Sequence, residues 1–108
     1  MSHKISIIDI GSNTIRLVIY EKRQDRYSYE CIENIKETAR LRSRFDKEGN
    51  LSEEGINILV STLQEFMKIV DHYGADECVA VATASLRLAE NCDDVLARVK
   101  AKTNIEIR

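Results

Sequence analysis

Two β-branched runs open the chain: Ile5, Ile7, Ile8 and Ile10, then Ile15, Val18 and Ile19, with four small or polar residues between them. Apolar runs bounded by Gly, Ser and Asn predict two strands of a hairpin, with Gly11, Ser12, Asn13 and Thr14 as the connecting loop. A charged turn at 22–26 leads to a third predicted strand at 27–36, its apolar side formed by Tyr29, Cys31 and Ile35. Short links between consecutive strands favour an antiparallel meander. Residues 37–50 are irregular, and the period then changes. Ile56, Leu59, Val60, Leu63, Phe66, Met67 and Val70 recur at helical spacing, opposite Asn57, Ser61, Gln64, Lys68 and Asp71. Ser52 suits the N-cap of this helix, Glu53 and Glu54 its first turn, and Gly74 a left-handed end after Tyr73.

The run Cys78, Val79, Ala80, Val81 and Ala82 has no polar face, which predicts a buried central strand. Because a helix precedes it, parallel pairing with the first strand is expected. A second helix is predicted over 91–102, with Val95, Leu96 and Val99 inward and Asn104 closing it; residues 105–108 would begin a fifth strand. A strand of this kind normally continues into a covering helix, so the chain is expected to be a piece of a longer protein.

Length and charge narrow the function classes. The 108 residues amount to one domain or part of one, able to bury about 65% of the unfolded surface. A net charge of −2 gives no electrostatic footprint for nucleic acid. No run approaches the roughly 20 apolar residues of a membrane span, and Asp9 interrupts the N-terminal apolar stretch, which lacks a signal-peptide cleavage site. A cytoplasmic protein with no nucleic-acid or membrane partner is the expectation. Cys31, Cys78 and Cys92 fit no CxxC or zinc spacing and read as reduced thiols, Cys31 and Cys78 within the core.

The candidate chemistry lies in the first hairpin. Gly11 can adopt backbone angles forbidden to other residues and admits a ligand to the main chain, while Ser12, Asn13 and Thr14 add polar donors. Such a turn can hold a phosphate. Asp9 stands at its entrance, and a carboxylate tolerates a phosphate when a divalent cation or water lies between them, which points to phosphoryl chemistry with Mg²⁺. The same residues are also ordinary turn formers. Thr83, Ser85 and Arg87 follow the predicted parallel strand and would approach the same sheet edge, since ligands of open α/β sheets sit at the carboxyl ends of strands. There Arg87 could bind phosphate oxygens, or Ser85 could serve as a helix N-cap beside a surface arginine. Arg40, Arg42 and Arg44 alternate and would project to one side of an extended segment, facing a polyanion or forming a solvated loop.

The phrases IDIGSNTIRLVIYE, KETARLRSRFDKEGNLSEEGI, VATASLRLAEN and TNIEIR occur in this order. Together they resemble the N-terminal portion of the exopolyphosphatase / guanosine pentaphosphate phosphohydrolase (Ppx/GppA) family. The resemblance implies an α/β, ribonuclease-H-like half-domain of the actin, heat-shock-70 and sugar-kinase superfamily. Its five-stranded mixed sheet would have order 3-2-1-4-5 with two helices, truncated before its last helix. It implies Asp9 as the acidic residue at an Mg²⁺ and phosphate site, and Gly11, Ser12, Asn13 and Thr14 as the first phosphate loop. Arg16 matches an arginine after that loop, Thr83 and Ser85 a cluster of hydroxyls at a strand end, and Arg87 an arginine directed at polyphosphate or a phosphorylated guanine nucleotide. Arg42 and Arg44 depart from the pattern, where members often carry glycines.

The family's water-activating glutamate and second phosphate loop would lie beyond Arg108. The implied function is Mg²⁺-assisted removal of terminal phosphate from polyphosphate or guanosine pentaphosphate by a longer parent, which could be a homodimer, with the 108 residues inactive alone. The alternatives are a kinase or ATPase of the same superfamily and a non-catalytic module binding a phosphorylated nucleotide or another polyanion.

Overall fold

The computed structural model describes residues 2–108, the side chain of Ala84 excepted. Four strands, β1 (Ser2–Ile10), β2 (Ile15–Arg23), β3 (Glu30–Glu37) and β4 (Glu77–Ala82), form one sheet of order β3-β2-β1-β4. β1 and β2 pair antiparallel from Ser2↔Arg23 to Ile10↔Ile15, so the hairpin turns over the predicted four residues. β3 continues the antiparallel meander. β4 returns parallel to β1, from Ile5↔Glu77 to Ile10↔Ala82. This register sets Ser6, Ile8 and Ile10 beside Ile19, Leu17 and Ile15, all of them buried. Strand side chains alternate, so Ile7 and Asp9 point to the opposite, open face and are exposed. Ser6 is the buried polar exception, and its hydroxyl donates to the Glu77 carbonyl at 3.1 Å.

The buried face is covered by α1 (Glu53–Tyr73) and α3 (Cys92–Thr103), whose Leu59, Leu63, Phe66, Val95 and Val99 join the strand residues in one core. The ends of α1 follow from local chemistry. The Ser52 hydroxyl accepts from the Gly55 N–H at 3.0 Å, and Gly74 closes the helix with φ 65°. The ammonium of Lys4 donates to the Tyr73 carbonyl, where the helix dipole favours a cation. The Tyr73 hydroxyl donates to Glu33 at 2.7 Å, pinning the helix end to β3 and raising the phenol pKa. Asn104 ends α3 in the left-handed region, φ 61°. Among the described residues no helix is long and apolar enough to cross a membrane.

Several expectations are corrected. Residues 105–108 form no fifth strand; they make one isolated parallel bridge, Ala80↔Ile107, closed by Arg108 N–H to Ala80 O at 2.8 Å and Ala82 N–H to Arg108 O at 3.3 Å. The sheet is four-stranded, and β4 is an outer strand, not a central one. Cys78 is therefore exposed. Cys31 is exposed as well, because it lies on the outer strand β3 opposite Tyr20 of the open face. β3 begins at Glu30, leaving Tyr27 and Tyr29 solvent-exposed, and its contribution to the core comes from Ile32 and Ile35. There are three α-helices instead of two, since a single turn, α2 (Ala84–Arg87), follows β4 before α3. Asn91, expected as the first residue of the helix predicted over 91–102, stands just before α3 and gives the helix no side-chain cap bond. Its side chain bonds both main-chain groups of Leu51, accepting at 2.9 Å and donating at 3.0 Å, and so holds the start of α3 against the approach to α1.

Two surface carboxylates make folding sensitive to acid. The Asn50 N–H, with that of Glu48, bonds the Asp46 carboxylate and lowers its pKa below 3.8. The Arg98 guanidinium grips Glu53 in a two-point pair, 2.7 Å at each oxygen, and lowers its pKa below 4.5. A carboxylate whose folded pKa is depressed contributes stability that is complete above its unfolded value and lost as the pH falls through the folded one. The unfolding temperature should hold steady from neutrality to about pH 5 and then decline. Circular dichroism melts across that range check this, and Glu53→Gln together with Asp46→Ala should flatten the acid limb.

Candidate functional site

The parallel pairing of β1 and β4 brings their carboxyl ends to one edge of the sheet. Thr83, the residue after β4, ties the two ends together: its N–H and its hydroxyl both donate to the Ile10 carbonyl, at 3.0 and 3.2 Å. Asp9, one residue earlier on β1, faces the open side between its register partners Arg16 and Val81. Among the described residues no hydrogen bond or ion pair reaches its carboxylate. Arg16 shares that face, but its guanidinium donates to the Asn34 side chain at 2.6 Å and leaves Asp9 unpaired. Arg87, at the end of α2, is exposed.

The loop after Asp9 is tight. The Gly11 N–H donates to the Thr14 carbonyl at 2.9 Å, and a Cβ on Gly11 would stand 2.9 Å from that same oxygen. Close approach is what requires glycine here; its φ lies outside the left-handed region, contrary to the expectation from conformational freedom. The next carbonyls are also engaged: Ser12 O accepts from Arg42 N–H and Asn13 O from Arg40 N–H, each at 2.8 Å. The N–H groups of Ser12, Asn13 and Thr14 have no protein partner among the described residues. Acceptors are consumed and donors remain, which is the polarity an anion requires. The Ser12 hydroxyl meets the hydroxyl of Ser85 on α2, so the loop is held on that side as well.

The arginine segment is not extended. Leu41, Arg42, Ser43 and Arg44 form a 3-10 turn, and Arg40 before it is left-handed, φ 53° and ψ 47°, so the three arginines do not share one side. Arg44 is absorbed into the fold, donating to the Ala39 carbonyl at 3.2 Å and pairing with Glu54 at 2.9 Å. Arg40 and Arg42 are exposed, and no ion pair among the described residues includes either. Between them Leu41 is buried, 2% exposed, and anchors the turn in the core. The docking of this turn on the loop was not read from the sequence; the lone apolar residue inside Arg-Leu-Arg-Ser-Arg was its one available signal.

Comparison with known proteins extends this geometry. The model of the Ppx/GppA phosphatase family matches residues 18–108. The chain belongs to that family. Exopolyphosphatase 1 of Mycobacterium tuberculosis is 34% identical over 105 residues, covering 97% of this chain and 30% of that protein. The corresponding protein of Mycobacterium leprae is 32% identical over the same length. The Ppx/GppA member from Aquifex aeolicus superposes with a TM-score of 0.91 at 27% identity, over all of this chain and 35% of that one. An exopolyphosphatase from Cytophaga hutchinsonii gives 0.89 at 28% identity, over 97% of this chain and 33% of that one. This Ppx/GppA chain therefore spans about a third of the length of the relatives it matches. The likeness fits an actin- and sugar-kinase-like α/β fold, with the loop after Asp9 at the end of its first strand.

Proposed function

We propose that this Ppx/GppA chain supplies the first phosphate-holding loop of a longer phosphohydrolase that removes terminal phosphate from inorganic polyphosphate or guanosine pentaphosphate. The observation that carries the reading is the polarity of the loop: the carbonyls of Ser12, Asn13 and Thr14 are engaged, while their N–H groups are left for an anion. The names of the mycobacterial relatives supply the class of substrate. Gly11 keeps the loop tight, with three successive N–H groups free of protein partners among the described residues. Ser12 and Ser85 offer hydroxyls beside them, Thr83 fixes the strand ends from which the loop springs, and we assign Arg87 and, on release from Asn34, Arg16 as guanidinium donors to the phosphate. Charge-assisted donors of this kind stabilise the negative charge spread over a transferred phosphoryl group.

Asp9 cannot attract that anion directly, and its unpaired carboxylate suits a cation. Among the described residues no cluster of three His, Cys, Asp or Glu side chains stands ready to hold a metal, and Asp9 is the ligand we assign to this chain. That fits Mg²⁺, which is commonly held by one or two carboxylates together with substrate phosphates. Bound there, Mg²⁺ would neutralise developing charge on the phosphate oxygens. We assign the base that activates water to the rest of the longer protein and expect the 108 residues alone to be inactive.

The deciding experiment is phosphate release by the native-length protein with Mg²⁺ from long-chain polyphosphate and from guanosine pentaphosphate. Release from at least one is expected, the faster substrate naming the preferred one; release from neither overturns the reading. The loop has its own test. Gly11→Ala must push the Thr14 carbonyl away, and misplacing the N–H groups should weaken tripolyphosphate binding roughly tenfold or more. Titration calorimetry showing unaltered affinity would remove the loop from the site.

A further inference from the structure

Arg40 and Arg42 remain unused by this mechanism, and three observations set them apart. First, both are bonded main chain to main chain to the phosphate loop, Arg42 to Ser12 and Arg40 to Asn13, at 2.8 Å each. Their Cα atoms are thereby fixed beside the loop, on the main-chain side of Ser12, whose side chain faces Ser85. Second, both are exposed and unpaired among the described residues, whereas Arg44 of the same turn is spent on Glu54 and Ala39. The neighbouring acid, Asp46, is occupied by the N–H groups of Glu48 and Asn50. Third, Arg40 is left-handed, a conformation unfavourable for a long side chain and natural for Gly or Asn. Strain of that kind persists where the surroundings enforce it, and clusters at functional sites.

We infer that Arg40 and Arg42 form a second anion subsite that binds the phosphates of a linear polyphosphate beyond the terminal one held by the loop. The inference rests on the phosphohydrolase reading for the position of the terminal phosphate. A small phosphate compound fills the loop and ends there; a long polyanion continues past it, and the adjoining guanidinium groups can grip its oxygens through paired donors. The turn would then set preference for chain length without touching the reacting phosphate.

The test is equilibrium binding to the native-length protein in EDTA, which stops turnover, using long-chain polyphosphate and pyrophosphate as probes. Arg42→Gln and Arg40→Asn should each weaken long-chain binding about tenfold, leave pyrophosphate within about twofold, and reduce the salt dependence of long-chain binding. Arg42→Lys should recover part of the loss. Asn suits the left-handed backbone at 40, and Arg42→Gln alone decides the matter if the other variant does not fold. Unchanged long-chain affinity in Arg42→Gln, equal losses for both probes, or no long-chain binding by the wild type would each overturn the inference. A wild type that binds long chains through these arginines yet releases no phosphate with Mg²⁺ overturns the phosphohydrolase reading and leaves the subsite standing. Release that persists while the variants bind long chains as tightly does the reverse.

Discussion

Replacing Asp9 by alanine should lower phosphate release by the native-length protein at least about 100-fold, the usual scale for removing one preorganised charge-stabilising group. The same change should leave folding stability within about 0.5 kcal/mol, because an exposed side chain without partners contributes little to the native state. That combination makes the experiment informative, since lost activity cannot be ascribed to lost structure. Asp9→Asn sharpens it. Asparagine keeps the shape and one acceptor oxygen but not the charge, so it should fail nearly as badly if the carboxylate holds a cation and should recover most activity if it merely accepts a hydrogen bond. Phosphate release assays with matched thermal melts provide both readouts. An alanine variant within about threefold of the wild type would take Asp9 out of the chemistry, whatever becomes of the loop.

What could be read from the sequence was whatever local chemistry fixes. The first hairpin follows from β-branched runs around a polar tetrapeptide. α1 follows from Ser52, a seven-residue apolar stripe and Gly74, each acting within a turn of its own position. The parallel return of β4 was legible because a helix precedes it, and that pairing is what brings Ser85 to Ser12 across 73 positions of sequence. The errors have a common cause in non-local partners. Cys78 lies in an apolar run, yet its burial depends on a neighbouring strand, and residues 105–108 meet β4 through one isolated bridge at its far end, bonding Ala80 and Ala82. Cys31 sits on a strand whose one face is open. The arginine segment was least legible because it is fixed by main-chain bonds, from Arg40 and Arg42 to Asn13 and Ser12. Any residue except proline can donate such a bond, so side-chain chemistry leaves no trace of it. The alternation of arginines suggested an extended segment, and the turn it actually forms ties Arg44 to Ala39 and Glu54 while leaving Arg40 and Arg42 exposed.

The same turn carries the second large expected effect. Leu41→Ala should cost about 3 kcal/mol of folding stability, within the range for truncating a buried leucine and leaving a cavity. Leu41 is 2% exposed and belongs to the main core, so the loss combines transfer of its side chain with whatever space its neighbours fail to refill. A domain of this size has a total stability of only about 5–15 kcal/mol, and the unfolding temperature should fall by roughly 12–24 °C. A second consequence distinguishes this site from other core positions. Leu41 holds the main chain whose N–H groups bond the loop at Ser12 and Asn13, so amide exchange at Arg40 and Arg42 should accelerate more than global destabilisation requires. Denaturant unfolding and native-state hydrogen exchange measure the two effects on one sample. Arg42→Gln is the contrast: it leaves the buried anchor in place and should change stability by less than about 0.5 kcal/mol. A Leu41→Ala loss below about 1 kcal/mol, with exchange at Arg40 and Arg42 no faster than in the wild type, would mean that the loop carries the turn. In that case the buried leucine would be incidental to the position of the two arginines.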